Sequence, residues 1–180
     1  GAMRKDFDSS SFHNSINKVV IKDGVTAISN SAFYNCTKLT EVSIPNSVKS
    51  IGSSAFYGCT GLTEVSIPNN VTSINSSTFA NCSNLTRVEF GNGLKRLYAS
   101  TTDSYNIFYG CSKLTELAFD SAIVPILNSS SYSSSTDSNC AKKFFSTNVV
   151  PSLQKIYVPG ASFDTYKSAW ASYLPDTVKI

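Results

Sequence analysis

The sequence predicts a solenoid: short parallel strands stacked one per 23-residue turn, irregular or short helical turns on the other side, and a C-terminal helical cap. Three observations predict it. The segments LTEVSIP at 39, LTEVSIP at 62, LTRVEFG at 85, LTELAFD at 114 and LQKIYVP at 153 share one apolar template, which INKVVIK at 16 also fits. Their first residues, Ile16, Leu39, Leu62, Leu85, Leu114 and Leu153, are separated by 23, 23, 23, 29 and 39, so the period is 23 with insertions in the last two units. A second apolar pair travels with each strand: Val25 and Ile28, Val48 and Ile51, Val71 and Ile74, Leu94 and Leu97, Ile123 and Ile126. A third block sets Phe33, Phe56, Phe79 and Phe108 each three residues before Cys36, Cys59, Cys82 and Cys111. Self-similarity at such a period marks a repeat architecture, in which no single unit buries its apolar face alone.

Taken in chain order, residues 1–3 (Gly-Ala-Met) read as a cloning remnant and residues 4–15 as an N-terminal leader or cap. Residues 16–159 form an array of about six turns. In each strand the residues alternate, so Val42 and Ile44 point inward while Glu41 and Ser43 point outward. Ile-Pro followed by Asn ends the strands at 44–47 and 67–70, because Pro cannot donate to a ladder and Asn tolerates the turn. The Val/Ile pair gives a second inward edge, and the Ala-Phe-Tyr segment, too short for a free helix, makes a helical turn that drops its Phe into the coil. Stacked coils pair their strands in parallel at roughly 4.8 Å, giving a stack on the order of 25 Å. Residues 160–180 supply a capping helix and a last strand. Phe163, Tyr166, Trp170, Tyr173 and Leu174 fall at helical spacing between Ser162, the N-cap, and Pro175. Trp170 reads as core of that cap more readily than as a ligand platform, since an open end of the array must be covered.

Composition excludes several functions. Charged residues are only 15% of the 180-residue chain, and 15 Lys and Arg against 12 Asp and Glu give a net charge of +3. That field is too weak and dispersed to drive binding to nucleic acid or anionic lipid. The longest apolar run, AIVPIL at 122–127, is far shorter than the roughly 20 residues of a membrane helix, so no membrane insertion is expected.

The unit CTKLTEVSIPNSVKSIGSSAFYGC resembles, nearly residue for residue, the BspA-like type of leucine-rich repeat, and the likeness covers roughly residues 16–159. The ending LQKIYVPGASFDTYKSAWASYLPDTVKI is similar to the closing segment of many such proteins. The resemblance implies a leucine-rich-repeat solenoid, a place on surface or secreted proteins of gut and oral bacteria, and adhesion to host proteins or other cells rather than catalysis. The sequence departs from the pattern at 98–106 and 128–139.

No chemistry competes strongly with that reading. Cys36, Cys59, Cys82 and Cys111 hold one repeat position, which points to buried, unbridged thiols; either Cys140 or Asn148 fills that position in the fifth unit. No paired ligands at zinc spacing exist, so no metal or cofactor is expected. His13 is the only histidine and lies ahead of the first rung, which leaves nucleophilic triads without a base. Glu41 and Glu64 fall in register on adjacent strands, the one carboxylate pair placed for acid/base work, but on an open, solvated face. GNGLKRL at 91 has no helix behind it and reads as a turn, not a phosphate loop. The Asn-x-Ser/Thr triplets at Asn35, Asn70, Asn75, Asn81, Asn84 and Asn128 follow from composition.

The outward strand positions are the first candidate for ligand binding: Glu41, Ser43, Glu64, Ser66, Arg87, Glu89 and Tyr157. The divergent loops at 98–106 and 128–139 are the second, with Tyr98, Tyr105 and Tyr132 among Ser and Asn, types that recur in antibody contact loops. The expected function is a non-enzymatic extracellular or cell-surface module that binds a protein or glycan of unknown identity. The alternative is a structural spacer or weakly self-associating domain of a larger bacterial surface protein.

Overall fold

The structure, a computed structural model, describes residues 2–3, 13–99, 102–128 and 137–180. Its strands are β1 (Ala2–Met3), β2 (Lys18–Val20), β3 (Ala27–Ile28), β4 (Glu41–Ser43), β5 (Ser50–Ile51) and β6 (Glu64–Ile67). They continue as β7 (Ser73–Ile74), β8 (Arg87–Phe90), β9 (Arg96–Tyr98), β10 (Glu116–Phe119), β11 (Ile126–Asn128) and β12 (Lys155–Tyr157). The helices are α1 (Ser138–Phe144) and α2 (Phe163–Trp170). Odd-numbered strands form one parallel six-stranded sheet, β1-β3-β5-β7-β9-β11. Even-numbered strands form a four-stranded sheet, β12-β10-β8-β6, and a two-stranded one, β2-β4. The coil is therefore three-sided: strand face, second sheet, and turn side. The second apolar pair, expected only as an inward edge, is a continuous sheet, and β1 adds Ala2 and Met3 to its edge opposite Ala27 and Ile28.

The abundance of Ser, Thr and Asn has a structural cause. A coil whose sides are two to four residues long leaves many backbone groups at its corners, and each must find a partner. Hydroxyls of Thr40, Thr60, Thr86 and Thr115 donate to the carbonyls of Asn17, Thr37, Thr63 and Thr86 one coil earlier. The Asn46 carboxamide oxygen accepts from the Asn69 amide, and that of Asn69 from the Asn92 amide. The side chain of Asn75 donates to the Ile51 carbonyl at 2.6 Å, and that of Asn84 to the Thr60 carbonyl at 2.7 Å. Short polar side chains spaced one period apart thus act as struts along the stack.

The turn side is not the helical turn expected. Left-handed residues recur there, Ser31, Ser54 and Ser77 at φ 55–56° and Asn35 and Asn81 at φ 56° and 60°, with Gly58 and Gly110 in the Asn position. Each such residue breaks the helix and aims alternate amides along the axis. Ser31, Phe33 and Asn35 donate to the carbonyls of Ser53, Ala55 and Tyr57 on the next coil. The Phe side chains point inward as anticipated, in a stack of rings with Phe33 to Phe56 at 5.2 Å, Phe56 to Phe79 at 5.5 Å and Phe79 to Phe108 at 5.9 Å.

The thiols are buried and unbridged. Those of Cys59, Cys82 and Cys111 donate at 3.0–3.1 Å to the carbonyls of Phe33, Phe56 and Phe79, each one coil back. Burial away from water disfavours the thiolate, pushing Cys36 up to about 11 and Cys111 up to about 12 and raising Cys59 and Cys82 as well.

Two ladder positions in the fifth unit differ from the sequence reading. One extra residue in the turn after β10 moves the second apolar pair from Ile123 and Ile126 to Val124 and Leu127. Leu127 pairs with Leu97, and Ile123 is 69% exposed beside a turn closed by the Ser121 hydroxyl. Neither Cys140 nor Asn148 completes the thiol ladder. The Cys36, Cys59, Cys82 and Cys111 carbonyls accept from Leu39, Leu62, Leu85 and Leu114, and the equivalent bond runs from Leu153 to Val150. Val150 fills the position, while Cys140 is buried in α1 and Asn148 is exposed. Phe144 meets Phe108 edge-on at 5.9 Å, ending the parallel stack of rings.

The cap closes the last rung. A 3-10 turn over Gly160–Ser162 leads into α2, which is shorter than the expected 162–174 and has no side-chain bond from Ser162. Lys179 then bridges in parallel to Lys155 as the last strand. Trp170 is fully buried against Tyr166, Phe119 and Phe145 at 5.1, 5.2 and 5.4 Å, and among the described residues its indole N–H has no acceptor. Trp170→Phe should therefore cost less than about 1.5 kcal/mol in urea denaturation, because relief of an unsatisfied donor offsets the lost ring area. A loss above about 3 kcal/mol would show that the N–H is bonded.

Candidate functional site

The strand face carries an open groove of about 530 Å³ that crosses coils two to five. Its walls are the outward residues Glu41, Ser43, Ser66 and Glu89 and the corner residues Pro45, Asn46, Pro68, Asn69, Gly91 and Asp120. The construction follows from the repeat: each strand presents every second side chain outward, and Pro-Asn at its end turns the chain and lifts an amide onto the rim. Gly91 stands where Pro would recur and lies close to Asn69, leaving no room for a Cβ. The sequence marks Asn46 and Asn69 only as turn residues, although they recur at the same 23-residue spacing as the groove-lining Ser43 and Ser66.

Beside the groove several charges are paired. Lys18 holds Glu41 at 2.8 Å. Arg87 bonds Glu89 and reaches Glu116 at 2.8 Å, and its guanidinium lies 5.3 Å from the centre of the Tyr157 ring. Arg87 first, then the Tyr157 hydroxyl and the Lys155 charge, hold the Glu116 carboxyl below the usual carboxylate range. Arg87 and Tyr157 therefore belong to an ion-pair network at the C-terminal end of the face, and Glu89 links that network to the groove. Glu64 lies exposed on β6 beside the groove.

The strands that precede the two loop candidates, β9 and β11, belong to the second sheet and not to the strand face; residues 100–101 and 129–136 lie outside the described residues. Tyr98 is half-buried within β9 itself. Tyr105 is 63% exposed in a 3-10 turn over Asp103–Tyr105, and its carbonyl accepts from the Ser77 amide. Tyr132 lies outside the described residues. The side-chain nitrogens of Asn70, Asn75, Asn81 and Asn84 all donate to the preceding coil, so glycosylation there would break the struts. Among the described residues no group of His, Cys, Asp and Glu is arranged to hold a metal ion, and no helix is long and apolar enough to cross a membrane.

A family model described as the BspA type leucine rich repeat region matches residues 5–139 in six copies. No match is found among curated proteins. Among solved structures, the chain is similar to a leucine rich cell surface protein from Faecalibacterium prausnitzii A2-165, at 25% identity over 91% of this chain and 36% of that one, with a TM-score of 0.61. It is also similar to the pneumococcal vaccine antigen PcpA, at 22% identity over 92% of this chain and 36% of that one, with a TM-score of 0.60, a likeness of fold. The chain thus spans little more than a third of either relative.

Proposed function

Because the chain belongs to the BspA-type leucine-rich repeat family, we propose that it is an adhesive interaction module of a bacterial surface protein, which grips an extended protein or glycan segment along the strand-face groove. Leucine-rich repeat families are in general non-enzymatic protein-interaction modules, and the F. prausnitzii relative is a cell surface protein. The groove carries the reading. It offers hydroxyl, amide and carboxylate groups at steps of roughly 4.8 Å, a spacing suited to a ligand whose own polar groups repeat along its length.

Ser66→Arg places a long cation in mid-groove without disturbing the core, since Ser66 is exposed on β6. Against an array of immobilised matrix proteins and glycans, this variant should lose at least about tenfold in affinity for whatever the wild type captures, equivalent to about 1.4 kcal/mol. Deletion of residues 129–136, which follow β11 of the second sheet in the chain, should leave capture intact. Unchanged capture by Ser66→Arg would remove the groove from the reading.

A further inference from the structure

Among the described residues, one junction on the strand face is open. β2 pairs with β4, and β6, β8, β10 and β12 pair in series, but β4 and β6 share no ladder pair although they lie side by side. The amides of Thr40, Thr86 and Thr115 donate at 2.9, 2.8 and 3.0 Å to Asn17, Thr63 and Thr86 one coil earlier; no such bond runs from Thr63 to Thr40. The turn side of the same junction is closed, and the second sheet keeps one pair there where the steps on either side keep two. Ile51 pairs with Ile74, and Ser54, Phe56 and Gly58 donate to Ser76, Thr78 and Ala80. Val42 and Ile44 are only half-buried where Val65 and Ile67 are buried. An opening on the strand face, with the turn side closed and the second sheet held by one pair, makes the junction a hinge about the turn side, and its two banks are walls of the groove.

The charge column supplies the cause. Lys18, Glu41, Glu64, Arg87, Glu116 and Lys155 occupy one outward position of successive coils. Every paired step sets opposite signs side by side: Lys18 with Glu41, Glu64 with Arg87, Arg87 with Glu116, Glu116 with Lys155. The step from Glu41 to Glu64 sets two carboxylates side by side, and like charges facing across adjacent strands oppose pairing. Their neighbours do not relieve it, since Lys18 draws Glu41 from the far side and Arg87 is turned to Glu89 and Glu116. Proline is not the cause. Pro68 has no N–H for the Ile44 carbonyl, where Gly91 and Asp120 donate to Ile67 and Phe90, but Pro45 stands likewise against Ile21 and the β2–β4 ladder still forms.

We propose that repulsion between Glu41 and Glu64 holds this junction open as a charge-controlled hinge, which zips shut and narrows the groove when either carboxylate is neutralised or screened. The hinge stands on sheet topology and charge order, independently of what the groove binds. Amide exchange of Thr63, read against Thr86 one junction on, tests it. In the wild type at low salt Thr63 should exchange much faster than Thr86. Glu64→Gln and, separately, Glu41→Gln should slow Thr63 by about tenfold, and 1 M salt, where the screening length is about 3 Å, should slow it in the wild type and change little in Glu64→Gln. Pro68→Ala should leave Thr63 fast. Wild-type protection of Thr63 equal to that of Thr86, no slowing in either Gln variant, or slowing by Pro68→Ala alone would each overturn the proposal.

Discussion

Phe56→Ala is expected to destabilise the array by about 3 to 5 kcal/mol, measured by chemical denaturation. Phe56 is fully buried and stacks on two rings, Phe33 on one side and Phe79 on the other, so truncation empties a site bounded on both faces by rigid neighbours. Its backbone carries the stack as well, its carbonyl accepting the Cys82 thiol and its amide donating to Thr78. Because each coil contacts only its neighbours, the loss should also split the unfolding transition, with the N-terminal coils melting first. A change below about 1 kcal/mol would mean the ring is not interior.

Alkaline pH should unfold the protein through its thiols. The folded chain keeps thiol protons that the unfolded chain releases above about pH 8.5, so above that value the unfolded state binds fewer protons and stability falls as pH rises. The contribution is fully present below about pH 8.5 and is lost as pH climbs from there through the raised folded values of Cys36, Cys59, Cys82 and Cys111. Each thiol costs at most about 1.4 kcal/mol per pH unit, so four together cost on the order of 5 kcal/mol one unit up, comparable with a typical domain's whole stability. The buried Tyr166 hydroxyl, raised by burial and donating to the Ser121 carbonyl, adds to the fall above about pH 10. Denaturation midpoints between pH 7.5 and 10.5 read this directly, and Cys82→Ala should flatten the slope by one proton. A flat profile would contradict buried, protonated thiols.

What the sequence reveals here is whatever recurs. The Leu, Phe and Cys columns were legible because the period places identical side chains in identical surroundings, and the structure stacks them accordingly. Trp170 was legible for a different reason, since an apolar last rung needs a cover. What escaped was set by single residues. One extra residue after β10 exchanged Ile126 for Leu127, and Val150 took the thiol position through a backbone bond that no side-chain pattern announces. The left-handed Ser31 and Asn35 turned an expected helical turn into an inter-coil ladder, and Ser and Asn in left-handed backbone leave no mark on periodicity. The groove was half legible: alternation named Glu41, Ser43, Ser66 and Glu89, but the rim residues Asn46, Asn69 and Asp120 come from corners, and only closure of the coil brings corners and strands together. The inserted loops are attractive by composition, but composition does not say that the strands they follow, β9 and β11, belong to the second sheet.

The most direct measurement is an experimental electron-density map at a resolution that shows side chains. Leu39, Leu62 and Leu85 should lie one above another at steps of roughly 4.8 Å, each thiol aimed at the Phe carbonyl one coil back. Leucines converging from different directions on a single centre would contradict stacked coils, and the groove would go with them.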